Sequence, residues 1–136
     1  MQYCKTMPEE LNPPVFVLRL GHRPKRDKRI TTHVALVARA FGARGVFIAN
    51  VVDENLSRTV RKVIESWGGN YFKLVMGVNP LKLVNEWKRE GGCVVHLTMY
   101  GIPVNEVLDR VRRCSKILVV VGAEKVPRIY LSLIHI

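Results

Sequence analysis

The sequence predicts an α/β fold: one parallel sheet with helices on both faces. Three observations lead there. From Val15 onward short apolar runs alternate with segments of helical periodicity, the order that builds a sheet from strand–helix–strand units. The last of these runs, KILVVV at 116–121, is apolar without alternation, as suits a strand covered on both faces. A chain of 136 residues that is 48% hydrophobic has material for one core and not for two.

The first fourteen residues, MQYCKTMPEELNPP, hold no period and end in a double proline, so 1–14 is expected to be a flexible tail. Strands are expected at 15–20 (VFVLRL), 45–49 (GVFIA), 71–75 (YFKLV), 94–98 (VVHLT) and 116–121. Between the first two, Ile30, Val34, Val37 and Phe41 recur at helical spacing and form the expected buried face, with Gly42 as the stop. A second helix is expected from about Glu54 to Trp67, burying Leu56, Val60, Val63, Ile64 and Trp67 ahead of Gly68 and Gly69. A third starts where Asn79 can cap and Pro80 can take the first helical position, and turns Leu81, Val84 and Trp87 inward. A fourth begins near Pro103 with Val104, Val107, Leu108 and Val111 inward, and the cations of RRC in its last turn suit the helix dipole.

Cys4, Cys93 and Cys114 form no C-x-x-C pair and are read as reduced thiols, Cys93 and Cys114 as small buried hydrophobes. No apolar run is long enough to cross a bilayer and nothing resembles a secretory signal, so a soluble, cytoplasmic protein with no membrane partner is expected. Charge narrows the function. Lys and Arg number 22 against 11 Asp and Glu, a formal +11, and the segment RLGHRPKRDKR (19–29) concentrates it at a strand end. Such a cluster fits a surface that neutralises phosphates; the alternative is a solvated face that confers solubility.

There is no G-x-G-x-x-G after a strand and no G-x-x-x-x-G-K-[ST], so neither a dinucleotide site nor a P-loop is supported. His22, His33 and His96 are far apart and lack paired carboxylates, so no metal set is expected. Three strand ends carry loops of chemical interest: LGHRPKRDKRITTH, HLTMYGIP and GAEKVP. Gly21, Gly101 and Gly122 within them let backbone approach a ligand closely; the alternative for each is an ordinary turn.

Four segments together, VLRLGHRPKRDKRITTHVALVARAFGA, ESWGG, VHLTMYGIP and VVVGAEKVP, closely resemble the archaeal tRNA cytidine-56 ribose 2′-O-methyltransferases of the SPOUT superfamily. The resemblance covers residues 15 to about 127. It implies a SPOUT-type trefoil-knot methyltransferase, with a partial domain over 15–128 and the knot incomplete in this chain. It further implies an enzyme, homodimeric in its complete form, that moves a methyl group from S-adenosylmethionine to the ribose 2′-hydroxyl of a cytidine in the T-loop of tRNA. Carried over by motif, the cofactor contacts fall on Leu97, Gly122, Ala123, Glu124, Lys125 and Val126. The alternatives are a plain core leucine at Leu97 and a solvated loop lysine at Lys125.

Ribose methyltransferases of this superfamily place an arginine near the 2′-hydroxyl, and the first loop offers Arg23, Arg26 and Arg29. A guanidinium is a poor proton acceptor, so these are assigned to positioning phosphate and hydroxyl, Arg23 first. Alternatively Arg26 and Asp27 pair at the surface, or Asp27 or Thr31 only caps the helix. His22 and His33 are secondary proton-shuttle candidates against satisfied structural roles, and Arg39 is read as a surface or dimer-contact residue, the alternative being an alignment of its helix that brings it to the site. Two rival functions stand beside this one: a noncatalytic basic RNA-binding domain, and the same chemistry at another RNA position. The family continues beyond GAEKVP with a helix, a GNQPHSE-type loop and a closing helix. The chain as given is therefore expected to be inactive and to bind cofactor weakly or not at all. The segment YLSLIHI resembles the translation of a sequencing adapter, so 129–136 is expected to be non-native, with a sixth strand as the alternative.

Overall fold

The computed structural model describes residues 12–67, 72–97 and 104–122. Among the described residues nine elements follow in strict alternation: β1 (Val15–Arg19), α1 (Lys28–Ala40), β2 (Gly45–Ala49), α2 (Glu54–Trp67), β3 (Lys73–Val78), α3 (Pro80–Arg89), β4 (Cys93–Leu97), α4 (Val104–Arg112) and β5 (Ile117–Val121). The strands form one sheet in the order β3-β2-β1-β5-β4, and each neighbouring pair is parallel. The carboxyl ends therefore share one edge. The three loops singled out in the sequence leave from β1, β5 and β4, which lie side by side.

Alternation along β1 divides the core between the two faces. Val17 joins Val46, Ile48 and Phe72 beneath Ala35 of α1 and Leu56 and Val60 of α2. Leu18 and Leu20 turn the other way and join Val94, Leu118 and Val120 beneath Val84 and Trp87 of α3. Phe16, Phe47 and Trp87 meet there, the Trp87 ring edge-on to Phe16 at 5.3 Å and to Phe47 at 6.3 Å. Helices thus flank the sheet as expected. The ladder already includes Pro14, whose carbonyl accepts from the Ile117 amide at 2.8 Å.

The α2 bounds are those read from the sequence, although Trp67 itself is exposed and only Leu56 and Val60 of the expected stripe are fully buried. In α3 the Asn79 side chain accepts from the Lys82 amide and Pro80 takes the first turn, while Val84 and Trp87 are buried and Leu81 is half-buried. The third strand runs 73–78 rather than 71–75: Gly77, at φ 72°, reads as a break in the sequence but forms an irregularity within this edge strand, where the register with β2 shifts between Ile48 and Ala49. Of the α4 face, Leu108 is exposed at 36% and Val111 is half-buried; the Val104 and Val107 side chains and the segment 98–103 lie outside the described residues.

Two expectations are corrected. The buried face of α1 consists of Thr31, Ala35 and Arg39, whereas Ile30, Val37 and Phe41 are exposed, Phe41 at 75%. Only Val34 of the expected stripe packs against the core. Ala35 lets the helix lie close to the sheet, and Thr31 and Arg39 go inward because polar partners await them there. Cys93 and Cys114 are joined in a disulfide, with Cα atoms 5.9 Å apart, not held as separate thiols. The crossover through α4 returns Cys114 beside the start of β4, since β5 pairs Ile117 directly with Cys93.

Gly92 sits in a tight place between α3 and β4. A Cβ there would lie 2.5 Å from Trp87 Cδ1 and Nε1 and 2.9 Å from Lys116 Cγ. Gly92→Ala is expected to destabilise the protein by about 1–3 kcal/mol through overpacking, seen as a lower urea midpoint at unchanged slope. An unchanged midpoint would contradict this packing.

Candidate active site at the carboxyl edge

Arg19 closes β1 on the face that α1 covers, and is 3% exposed. Its Nε donates to Thr31 Oγ1 at 3.2 Å and its Nη1 to the Gly122 carbonyl at 2.7 Å. Gly21, at φ 70°, then turns the chain through a left-handed conformation that side chains resist, and His22 folds back under α1. Its Nδ1 lies 2.6 Å from Thr31 Oγ1, and its Nε2 lies 3.0 Å from Asp53 Oδ2. The other oxygen of Asp53 accepts the amides of Asn55 and Leu56 at 3.1 and 3.2 Å, which caps the first turn of α2. Arg19, Thr31, His22 and Asp53, all buried, thus link the end of β5 to the starts of both helices.

A second cluster shapes the loop itself. The Asp27 carboxylate accepts from the Arg23 amide at 3.1 Å, from Arg23 Nε at 2.9 Å and from Arg23 Nη2 at 3.3 Å. Arg19 Nη2 lies 3.9 Å from the same carboxylate. Asp27 therefore pairs with Arg23 and not with Arg26. It holds the N-cap position of α1 without a side-chain capping bond. Arg26 and Arg29 are exposed and line, with Lys25, Lys28, His33 and Thr59, an open cleft of about 540 Å³ between α1 and α2. Arg23 is not among the residues lining it; its side chain is 48% exposed and lies over Asp27. Leu97 ends β4 opposite Val121, which pairs in turn with Arg19, and is 55% exposed. Gly122 follows directly. Ala123, Glu124, Lys125 and Val126 lie outside the described residues.

The family model for tRNA ribose 2′-O-methyltransferase, aTrm56, matches residues 67–135. The chain belongs to this family. It is 59% identical over 114 residues to the tRNA (cytidine(56)-2′-O)-methyltransferase of Staphylothermus marinus, covering 83% of this chain and 61% of the relative. To the enzyme of the same name from Metallosphaera sedula it is 60% identical over 110 residues, 81% of this chain and 63% of the relative. To that of Methanopyrus kandleri it is 52% identical over 118 residues, 87% and 66%. The chain spans about three fifths of the length of the first two of these relatives.

Within this aTrm56-family chain the structure gathers residues that the sequence left apart. Arg19 had been visible only as one cation of a cluster, Thr31 only as a capping candidate, and Asp53 not at all. The signals were slight: a lone charge at an inward position of VFVLRL, and an aspartate just ahead of a helix. His22 has both ring nitrogens engaged, which favours the structural alternative over a shuttle. Arg39, expected at the surface, is buried at 7%, since it lies two turns along the inward face that starts at Thr31. No helix among the described residues is long and apolar enough to cross a membrane.

The charges in this region are set by their neighbours. The hydrogen bond from Arg23 holds the Asp27 carboxyl below the usual carboxylate range, against the opposing effect of burial. Burial alone would raise Asp53, but the hydrogen bond from His22 and the amides of Leu56 and Asn55 outweigh it and leave the carboxyl lowered. Burial is also the main cause that pulls Arg19 down, with Asp27 opposing it. A carboxyl with a depressed folded-state value contributes stability above its unfolded value and loses it as pH falls through the folded one. The contribution of these two is therefore complete above about pH 5 and lost progressively below about pH 4. Urea unfolding followed against pH is expected to show that acid fall in the native chain and a shallower one in Asp27→Asn. An identical slope in the variant would contradict the Arg23–Asp27 bond.

Proposed function

We propose that the full-length protein transfers a methyl group from S-adenosylmethionine to the ribose 2′-hydroxyl of cytidine 56 in the T-loop of tRNA. It does so as a cytoplasmic homodimer with a SPOUT-type trefoil knot. One observation carries the reading: the arginine-bearing loop after β1 and the glycine loop after β5 leave the same sheet edge, joined by the 2.7 Å bond from Arg19 to the Gly122 carbonyl. Ligands of parallel sheets bind at this edge. Family membership supplies the reaction.

The residues present suit the cofactor. Leu97 stands exposed beside Val121 and offers an apolar wall, while Gly122, with no side chain, permits close approach. The motif assigns Ala123, Glu124, Lys125 and Val126 to the same cofactor in this reading. S-adenosylmethionine supplies an electrophilic methyl carbon on a sulfonium whose sulfur departs as a neutral thioether. The protein must then hold the 2′-oxygen in line with that carbon, and orientation provides much of the acceleration. Arg26 and Arg29, exposed with Lys25 and Lys28 in the cleft, grip RNA phosphates. Arg23, fixed by Asp27, orients the ribose. Because a guanidinium does not take the hydroxyl proton and His22 is engaged on both sides, His33 in the cleft is the imidazole left near the RNA.

Methyl-labelled S-adenosylmethionine and tRNA transcripts test the reaction. Full-length protein is expected to label tRNA carrying cytidine 56 and to leave tRNA with 2′-deoxycytidine at that position unlabelled; equal labelling of both would refute the reading. Arg26→Ala and Arg29→Ala are each expected to weaken tRNA binding and to reduce the slope of log affinity against log salt by about 1. Slopes equal to that of the native protein would remove these residues from the RNA surface.

A further inference from the structure

Arg19, Thr31, His22 and Asp53 explain more than local packing. We propose that they form a positioning relay that fixes the Gly122 carbonyl at the end of β5, and so sets the affinity for S-adenosylmethionine without touching it. The proposal rests on the cofactor reading above, which uses only the Arg19–Gly122 bond, and adds Thr31, His22 and Asp53 to it.

The argument begins with cost. A buried guanidinium loses its hydration, and an apolar pair of similar volume is commonly as stable or more so. Arg19 is nevertheless 3% exposed, on a strand whose other inward residues are apolar. What an apolar side chain cannot do is hold a carbonyl at a set position. Arg19 does this at Gly122, the last described residue before the loop, at 2.7 Å. The planar fork lets one side chain reach two acceptors at a fixed angle. Nη1 takes the Gly122 oxygen while Nε takes Thr31, so the position of the carbonyl is referred to helix α1.

The hydroxyl of Thr31 has one proton, and with a neutral imidazole at His22 the chain of bonds has one consistent direction. Arg19 Nε–H donates to Thr31 Oγ1; Thr31 then donates to His22 Nδ1, and His22 Nε2–H donates to Asp53. Each group fills the demand of the next. Asp53 is itself fixed by two amides of α2. The Gly122 carbonyl is thereby referred to both helices on that face of the sheet, and removing the Thr31 hydroxyl takes away the acceptor that sets the angle of the arginine head at Nε.

Thr31→Val keeps the shape and removes the hydroxyl; Thr31→Ser keeps the hydroxyl. In the full-length protein, S-adenosylhomocysteine binding by calorimetry is expected to weaken about 10-fold or more in Thr31→Val and in Arg19→Lys, as loss of a hydrogen bond to a charged group predicts. Thr31→Ser is expected to stay within about 3-fold of the native protein, and tRNA affinity to change less than about 2-fold in all three. Native-like S-adenosylhomocysteine binding by folded Thr31→Val would overturn the relay. So would parallel losses of S-adenosylhomocysteine, tRNA and melting temperature, which mark a purely structural role. Should Arg19→Lys fail to fold, the Thr31 pair decides the matter alone. Absence of S-adenosylhomocysteine binding by the native protein would instead overturn the cofactor reading, and the relay's role with it.

Discussion

Arg19 leaves the first strand on the covered face of the sheet, where 3% of its surface remains exposed, so its donors must be met by protein and not by water. That single demand organises the carboxyl edge. Thr31 is turned inward to take Nε, the Gly122 carbonyl takes Nη1, and the Asp27 carboxylate stands 3.9 Å from Nη2. His22 and Asp53 complete the demand that Thr31 creates. A buried cation with well-formed bonds adds little net stability over an apolar replacement, yet breaking it leaves an uncompensated charge in a low-dielectric interior. The edge is thereby held in one geometry.

The protein uses its positive charge in two ways. Lys25, Arg26, Lys28 and Arg29 keep their charge in water around an open cleft, where it acts at range on a polyanion and is screened by salt. Arg19 and Asp27 lie a few ångströms away and are buried, where the same kind of charge acts only on its immediate neighbours. Asp27 stands at the border between the two sets. By binding Arg23 through three hydrogen bonds it folds the loop tightly enough that the exposed cations face outward together.

Much of this fold was legible because burial writes a period into the sequence. Inner strands show as apolar runs, α2 as a stripe ending at a glycine pair, and α3 as Asn79 followed by Pro80. The first helix was misread by a single position. Ile30 and Thr31 are neighbours, and one residue is about 100° around a helix, so a stripe starting at Ile30 faces away from one starting at Thr31. Hydrophobicity chose the first because the second consists of a threonine, an alanine and an arginine. Polar residues go inward only where partners already wait, and those partners come from β1, the β1 loop and the turn before α2. His22 and Asp53 are 31 positions apart, and no local pattern announces their meeting. The Cys93–Cys114 bond was hidden for the same reason, since only the sheet order brings the start of β4 beside the end of the α4 crossover. Arg26, Arg29, Leu97 and Gly122 stand at the carboxyl edge or beside it.

The direction of the hydrogen-bond chain through His22 is the point on which the account depends, and it can be read from the imidazole itself. Long-range nitrogen–proton NMR correlation of labelled protein distinguishes the two ring nitrogens. The structure predicts Nε2 protonated toward Asp53 and Nδ1 a bare acceptor of the Thr31 hydroxyl. A proton on Nδ1 would make that nitrogen a donor to Thr31 Oγ1 and contradict the direction of the chain from Thr31 to His22.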